Sequence, residues 1–114
     1  MYDNRYIAQK LSAAVYSLAT GQGDARSRLE PAYRKFWLIP LNDFPSHLQE
    51  TRKEINSLLT RLPSREGFEM ADNLQKMKNS TASKIAALIF KLYAGVLEIG
   101  LPEHKRVQIS VQRS

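Results

Sequence analysis

The chain contains no cysteine. This absence excludes a disulfide scaffold, a thiolate metal site and a cysteine nucleophile together. Histidine is almost as scarce, because the chain has only His47 and His104, and neither belongs to a metal-binding spacing such as His-x-x-x-His. We therefore expect neither a metal ion nor another cofactor.

The sequence also lacks any pattern that indicates catalysis. It has no glycine-rich phosphate loop, and the order of its residues sets no serine, threonine or lysine beside a base. Glu69 and Asp72, three residues apart on one helix face, are the nearest approach to a paired acid, and helix surfaces produce such pairs routinely. We therefore predict that the protein is not an enzyme.

No export signal or membrane span is indicated either. Polar residues such as Lys10 break the apolar start of the chain, and Asp3 stands where a signal peptide carries positive charge. The longest apolar segment, residues 84–99, contains three charged residues and is short for a bilayer span. We therefore expect a cytoplasmic protein that does not bind membranes.

What the sequence does contain is helical periodicity. At 114 residues the chain is long enough for one domain, which we place at residues 1–104, followed by a basic tail at 105–114. Residues 84–99 repeat apolar side chains at helical spacing over most of the circumference, so other elements must enclose this helix. The sequence predicts an all-α, single-domain bundle of four or five helices around a central apolar helix at about residues 81–99.

The other helices follow from similar patterns. A first helix starts at a cap on Asp3 or Asn4 and ends at Thr20-Gly21, with Gly21 as a left-handed terminator. A second is capped by Asp24 and kinks or restarts near Glu30, because Pro31 disfavours a helix interior. The third is the clearest, with an apolar stripe of Leu48, Thr51, Ile55, Leu58, Leu59 and Leu62 and a solvated face of Glu50, Lys53, Glu54 and Asn56.

Three alternatives stay open at the level of sequence. Residues 36–41, FWLIPL, are β-prone and could form a short strand instead of ending a helix. A fourth helix begins at Arg65, and it either breaks near residues 78–81, where Ser80 or Thr81 caps the central helix, or continues to residue 99. Residues 107–111 alternate apolar and polar side chains, which predicts a possible short C-terminal strand.

Charge suggests a function class. The net charge is +6, and the excess lies toward the two ends of the chain, which favours an anionic partner or simply a soluble cationic surface. Between residues 26 and 37, basic and aromatic side chains alternate, a composition that suits a protein interface or nucleic acid unless the aromatics face the core. The predicted partner-binding residues are Arg26, Arg28, Tyr33, Arg34, Lys35 and Trp37, with Lys105, Arg106 and Arg113 as possible nucleic-acid contacts.

These observations favour a small non-enzymatic adaptor, inhibitor or regulatory protein of bacterial or phage type that binds another macromolecule. An unidentified protein partner is favoured. The first alternative is a nucleic-acid-binding protein that uses the basic and aromatic patch, and the second is a structural homo-oligomer such as a homodimer.

Overall fold

Five α-helices form the part of the chain that the computed structural model describes, residues 2–100, with side chains described through residue 98. The all-α prediction is confirmed, and the described part contains no β-strand. The predicted strand at 107–111 and the basic tail lie outside the described residues. The helices are α1 Asn4–Thr20, α2 Ala25–Arg34, α3 Gln49–Thr60, α4 Glu69–Lys76 and α5 Asn79–Gly100, with short 3₁₀ turns at Leu41–Asp43 and Ser46–Leu48.

One face of α5 forms the centre of the core. Its fully buried side chains recur every three or four residues, and α1, α2 and α3 all pack against it, while α4 packs on α2 and α3. Burial of such a face stabilises the fold chiefly through the hydrophobic effect. The buried side chains of α5 are Ala82, Ile85, Ile89, Leu92 and Val96.

The opposite face of α5 is open to solvent, which corrects the expectation that other elements enclose this helix on all sides. Not only charged side chains are exposed on this face, because Phe90 is 57% exposed and Leu97 is 42% exposed. The reason is that the described chain provides three helices to pack against α5, and they cover one side of it.

The helix α5 is also longer than the sequence predicts. With 22 residues, it is long enough and apolar enough to cross a bilayer, judged by length and composition only. The core helix of a soluble protein meets these criteria too. The expectation that the chain does not cross a membrane therefore stays a prediction.

Around Pro31 the chain stays helical. Pro31 lies inside α2, so the predicted restart near Glu30 does not occur, and α2 ends at Arg34. The next residues form consecutive turns, in which Lys35, Phe36 and Ile39 donate backbone hydrogen bonds to the carbonyls three residues before them. The strand alternative for residues 36–41 is therefore wrong. We call residues 35–41 the α2–α3 turn.

The fourth helix and the central helix are separate. Met77 is extended, with φ −71° and ψ 153°, and its side chain is buried, which turns the chain between α4 and α5. The continuous helix is therefore wrong. The carbonyl of Lys78 accepts the first hydrogen bond of α5, from the amide of Ala82 at 3.1 Å, so Lys78 stands at the N-cap in place of the predicted Ser80 or Thr81.

Gly21 ends α1 for a different reason from the one predicted. Its φ of −65° is not left-handed. A Cβ at this position would lie 2.7 Å from the carbonyl oxygen of Ser17 and 2.9 Å from Cγ of Arg28. Only glycine permits α2 to approach the end of α1 so closely.

Candidate partner-binding site

Two of the predicted partner-binding arginines, Arg26 and Arg28, make hydrogen bonds within the protein. Arg28 donates from Nε and Nη2 to the carbonyl of Gly23 at 3.1 and 2.9 Å, and from Nη1 to the carbonyl of Leu18 at 3.3 Å. These bonds satisfy carbonyls at and just beyond the end of α1, which the helix itself leaves without partners. Arg28 thus ties α2 to α1.

Arg26 has a similar structural position on α2. It pairs with Asp24 at 3.2 Å and donates long hydrogen bonds to the carbonyls of Gln75 and Met77 at 3.5 and 3.4 Å. It therefore connects the start of α2 with the end of α4. Neither Arg26 nor Arg28 projects freely into solvent.

The remaining four predicted residues divide between core and surface. Tyr33 is buried, and its hydroxyl donates to Oδ1 of Asn56 at 3.0 Å. Arg34 and Lys35 are exposed, and Arg34 pairs with Glu30 at 2.9 Å while its guanidinium lies 5.7 Å from the ring centroid of Trp37. The surface part of the predicted patch is thus Arg34, Lys35 and Trp37.

A groove runs between the α2–α3 turn and α3, with a volume of about 560 Å³. We call it the Trp37 groove. Its apolar wall is the turn itself, where Trp37 is 43% exposed and Leu38 is 72% exposed. Its other wall is polar and comes from α3. The side chains that line the groove include Trp37, Leu38, Pro40, Arg52, Lys53 and Asn56.

The floor of the groove contains a buried cation. The guanidinium carbon of Arg52 lies 5.3 Å from the ring centroids of Tyr33 and Phe36 and 5.8 Å from that of Phe44. Nη2 donates to the Tyr33 hydroxyl at 3.4 Å and to the Trp37 carbonyl at 3.5 Å. Cation–π attraction to three rings holds this charge in the interior.

Neither Arg52 nor Leu38 was predicted from the sequence as a site residue, although a signal for Arg52 was present. Arg52 lies four residues after Leu48 and three before Ile55, in the apolar stripe of α3. A charged side chain in such a stripe is either paired or functional. Leu38 had no such signal, because its exposure depends on the turns that follow α2.

Another groove, of about 620 Å³, lies between α2 and α4, where Arg26 and Asp24 line it. These two charges neutralise each other. Among the residues that the structure describes, no cluster of three or more acidic or histidine side chains could hold a metal ion. The possible nucleic-acid contacts Lys105, Arg106 and Arg113 lie outside the described residues.

The Trp37 groove therefore combines an exposed tryptophan, an exposed leucine and a buried arginine at one place on the surface. Large aromatic side chains and arginine supply most of the binding energy of protein interfaces. Comparison of the chain with protein-family models, with curated proteins and with solved structures finds no match.

Proposed function

We propose that this protein is a non-enzymatic adaptor, inhibitor or regulator that binds a protein partner through the Trp37 groove. The observation that carries the proposal is the exposure of Trp37 and Leu38 on adjacent positions of an irregular turn. An isolated exposed apolar residue is ordinary, but two large ones beside a groove resemble the anchor of an interface.

The geometry of the turn supports this role. Phe36 and Ile39 are buried on either side of Trp37 and Leu38, so the turn is fixed to the core while the two intervening side chains point outward. A rigid anchor loses little conformational entropy when it binds. Arg34, which contacts the ring of Trp37, adds a polar rim.

Variant-dependent capture tests the proposal. The tagged wild-type protein, Trp37→Ala and Leu38→Ser are used to capture partners from nuclease-treated extract, with Phe68→Ala as the matched control. Phe68 is also an exposed aromatic, 52% exposed, with Arg65 stacked 4.5 Å from its ring centroid, but it lies before α4. We expect a protein that is captured by the wild type and by Phe68→Ala and is lost with both groove variants.

Two results would contradict this expectation. A partner retained equally by all four proteins would place the interface elsewhere. A partner captured from untreated extract but not from nuclease-treated extract would favour the nucleic-acid alternative, for which binding must also weaken steeply with salt. Arg26 and Arg28 are less available for that role, because they are hydrogen-bonded within the fold.

A second candidate function, self-association, is favoured by the exposed face of α5. Its side chains are spaced alternately four and three residues apart, as in the seam of a coiled coil. From Ala87 to Leu97, small and large side chains alternate along this seam, so that two copies could interdigitate. We call this row the α5 outer stripe, and its members are Ser83, Ala87, Phe90, Ala94 and Leu97.

Charge favours an antiparallel arrangement of two such stripes. Lys84, whose Nζ lies 3.6 Å from Glu54 of its own chain, and Glu98 flank the stripe on the same side, near its two ends. A twofold axis near residue 91 sets each Lys84 opposite Glu98 of the second copy. Opposite charges at flanking positions determine orientation in coiled coils. Lys91 then lies near Lys91 of the second copy, and the repulsion between the two positive charges weakens the association.

Light scattering tests this candidate. We expect the wild type to have the mass of two chains at micromolar concentration and Phe90→Glu to have the mass of one. Tyr16→Glu, which changes a side chain that is 69% exposed on α1, is the matched control and is expected to remain dimeric. A wild-type monomer across the whole concentration range would remove the candidate.

A further inference from the structure

Arg52 is a buried cation without a counter-ion among the residues that the structure describes. Its side chain is 92% buried, since only 8% of its surface is exposed. The five ion pairs of the described chain do not include it. Its Nε has no hydrogen-bond partner.

Burial of this unpaired charge destabilises the fold unless another group pairs with the guanidinium. Removing a charge from water costs several kcal/mol even after relaxation, by order of magnitude, and a paired carboxylate normally offsets the cost. The rings of Tyr33, Phe36 and Phe44 offset part of it. The two hydrogen bonds from Nη2 are long, at 3.4 and 3.5 Å, and their acceptors are uncharged.

We propose that the Trp37 groove binds a carboxylate that is carried beside an apolar group. The carboxylate accepts hydrogen bonds from the guanidinium of Arg52, and the apolar group lies against Trp37 and Leu38. The inference rests on the proposed function and deepens it: the carboxylate belongs to the protein partner, either as an acidic side chain or as a chain terminus.

The charge and shape of the groove favour a carboxylate over a phosphate group. A planar guanidinium matches a planar carboxylate with two parallel hydrogen bonds. The other cation in the groove, Lys53, already pairs with Glu50 at 3.4 Å. One arginine balances one negative charge, whereas a phosphate dianion beside the apolar wall of Trp37, Leu38 and Pro40 would leave a charge unbalanced.

The groove contains its own reporter, because Trp37 is the single tryptophan of the chain. Its fluorescence is followed while N-acetyl-leucine or its uncharged analogue N-acetyl-leucinamide is added at constant ionic strength. We expect a saturable change with the acid and at least about tenfold weaker binding of the amide, since a charge-assisted hydrogen bond contributes about 1.5–3 kcal/mol. Equal binding of both probes, or no saturable response to the acid, would overturn the proposal.

A pair of variants assigns the preference to one side chain. We expect Arg52→Met to lose the preference for the acid and Arg61→Met to retain it. Arg61 directly follows α3 and does not line the groove, so Arg61→Met removes the same charge from a place outside it. A preference that survives in Arg52→Met would overturn the assignment. Thermal unfolding shows whether both variants are folded. If Arg52→Met does not fold, the comparison of acid and amide binding to the wild type still tests whether the groove prefers a carboxylate.

The outcome is separable from that of the proposed function. If capture depends on Trp37 and Leu38 but the two probes bind equally, the groove binds a partner without a carboxylate. If the acid is preferred but capture does not depend on the turn, the groove binds a carboxylate and the proposed partner interface is wrong.

Discussion

Two buried polar side chains at the start of α4 fix the loop that follows α3. Asp72 accepts three hydrogen bonds from Arg65, from its backbone amide at 2.9 Å, from Nε at 3.0 Å and from Nη2 at 2.8 Å. Asn73 is fully buried and bonds both the amide and the carbonyl of Leu62. Because buried polar groups must be satisfied, the two residues determine the path of the loop.

The pair of Asp72 and Arg65 makes stability depend on pH. Hydrogen bonds from the Arg65 side chain, and then from its backbone amide, hold the pKa of Asp72 well below its usual range. A carboxyl with a lowered folded-state pKa stabilises the protein above its unfolded pKa, and this stability is lost as the pH falls toward the folded pKa. We expect Asp72→Asn to lower Tm at neutral pH.

The pH profile checks that expectation. The difference in Tm between the wild type and Asp72→Asn should shrink as the pH falls below about 4, the usual pKa of an unfolded aspartate. Glu66→Gln, which removes a neighbouring exposed carboxylate, is the control and should show little difference at any pH. A difference that stays constant down to acidic pH would mean that Asp72 acts through packing and not through charge.

Asn73 supports the same loop through neutral hydrogen bonds. Its amide group donates to the carbonyls of Leu62 at 3.3 Å and Glu69 at 2.8 Å and accepts from the amide of Leu62 at 2.9 Å. Asn73→Ala leaves buried backbone groups without partners, so we expect a loss of about 2 kcal/mol in the free energy of unfolding. Urea denaturation measures it, with the exposed Gln75→Ala expected to stay within about 0.5 kcal/mol of the wild type.

At the scale of elements, the start of α5 is poorly capped. Lys78 stands at the N-cap, and the first turn contains no acidic residue. A positive charge at this end opposes the helix dipole, and a lysine does not bond the free amides as aspartate does. We expect Lys78→Asp to raise the free energy of unfolding by about 1 kcal/mol.

The control for this variant makes the same change where no cap exists. Lys91→Asp lies in the middle of α5, where aspartate has a lower helix propensity than lysine. We expect it to lower the free energy of unfolding in chemical denaturation. If both variants shift stability in the same direction, net charge and not capping is responsible.

The contact between α5 and the turn before α3 depends on Gly95. A Cβ there would lie 2.6 Å from Cδ2 and 3.1 Å from Cδ1 of the buried Leu48. Alanine improves helix propensity by about 1 kcal/mol, but overpacking costs about 1–3 kcal/mol. We therefore expect Gly95→Ala to destabilise the protein.

A double-mutant cycle isolates this contact. In the Leu48→Ala background the methyl group of Ala at position 95 has space, so Gly95→Ala should become neutral or stabilising. The free energies of unfolding of the four proteins come from urea denaturation. Equal effects of Gly95→Ala in both backgrounds would show that Leu48 moves aside without cost.

The helices could be predicted from the sequence because periodicity and caps act locally. The cap at Asp3 and the end of α1 at Thr20 follow from neighbouring residues, and the structure confirms them. The passage of α2 through Pro31 could not be predicted, because tertiary packing outweighs the local cost of the proline. How much of α5 is exposed depends on the number of helices that pack against it. The spacing of apolar residues within α5 carries no information on that number.

The candidate site was less predictable than the fold for a related reason. The alternation of basic and aromatic side chains indicated a segment that forms one wall of the proposed Trp37 groove, but the roles of Arg26, Arg28 and Tyr33 depend on contacts with residues far along the chain. Arg52 reaches the same place from α3. Only the tertiary structure brings it beneath the rings of Tyr33 and Phe36.

At the scale of the whole molecule, the two proposed surfaces belong to different elements. The Trp37 groove is formed by the α2–α3 turn and α3, and the α5 outer stripe faces away from the core. Dimerisation through the stripe therefore leaves the groove of each copy accessible. A homodimer would present two grooves, and a partner with two acidic segments would gain affinity through effective concentration.

The orientation of that dimer is testable because the chain has no cysteine of its own. In the antiparallel arrangement Phe90 packs against Ala94 of the second copy, and residue 91 lies close to the twofold axis, while residue 83 lies far from its counterpart. We expect Lys91→Cys to form a disulfide-linked dimer under mild oxidation and Ser83→Cys to remain unlinked.

Non-reducing electrophoresis and light scattering read out the two variants. Since disulfide formation requires Cα atoms within about 7 Å, only positions near the axis can link. Ser83 and Lys91 are both exposed on α5, so a difference in accessibility does not explain a difference in linkage. Linkage of Ser83→Cys but not of Lys91→Cys would indicate a parallel dimer, in which each seam position meets its counterpart and the two copies of a flanking position lie on opposite sides of the seam. Linkage of neither, together with a monomeric wild type, would show that the α5 outer stripe does not mediate self-association.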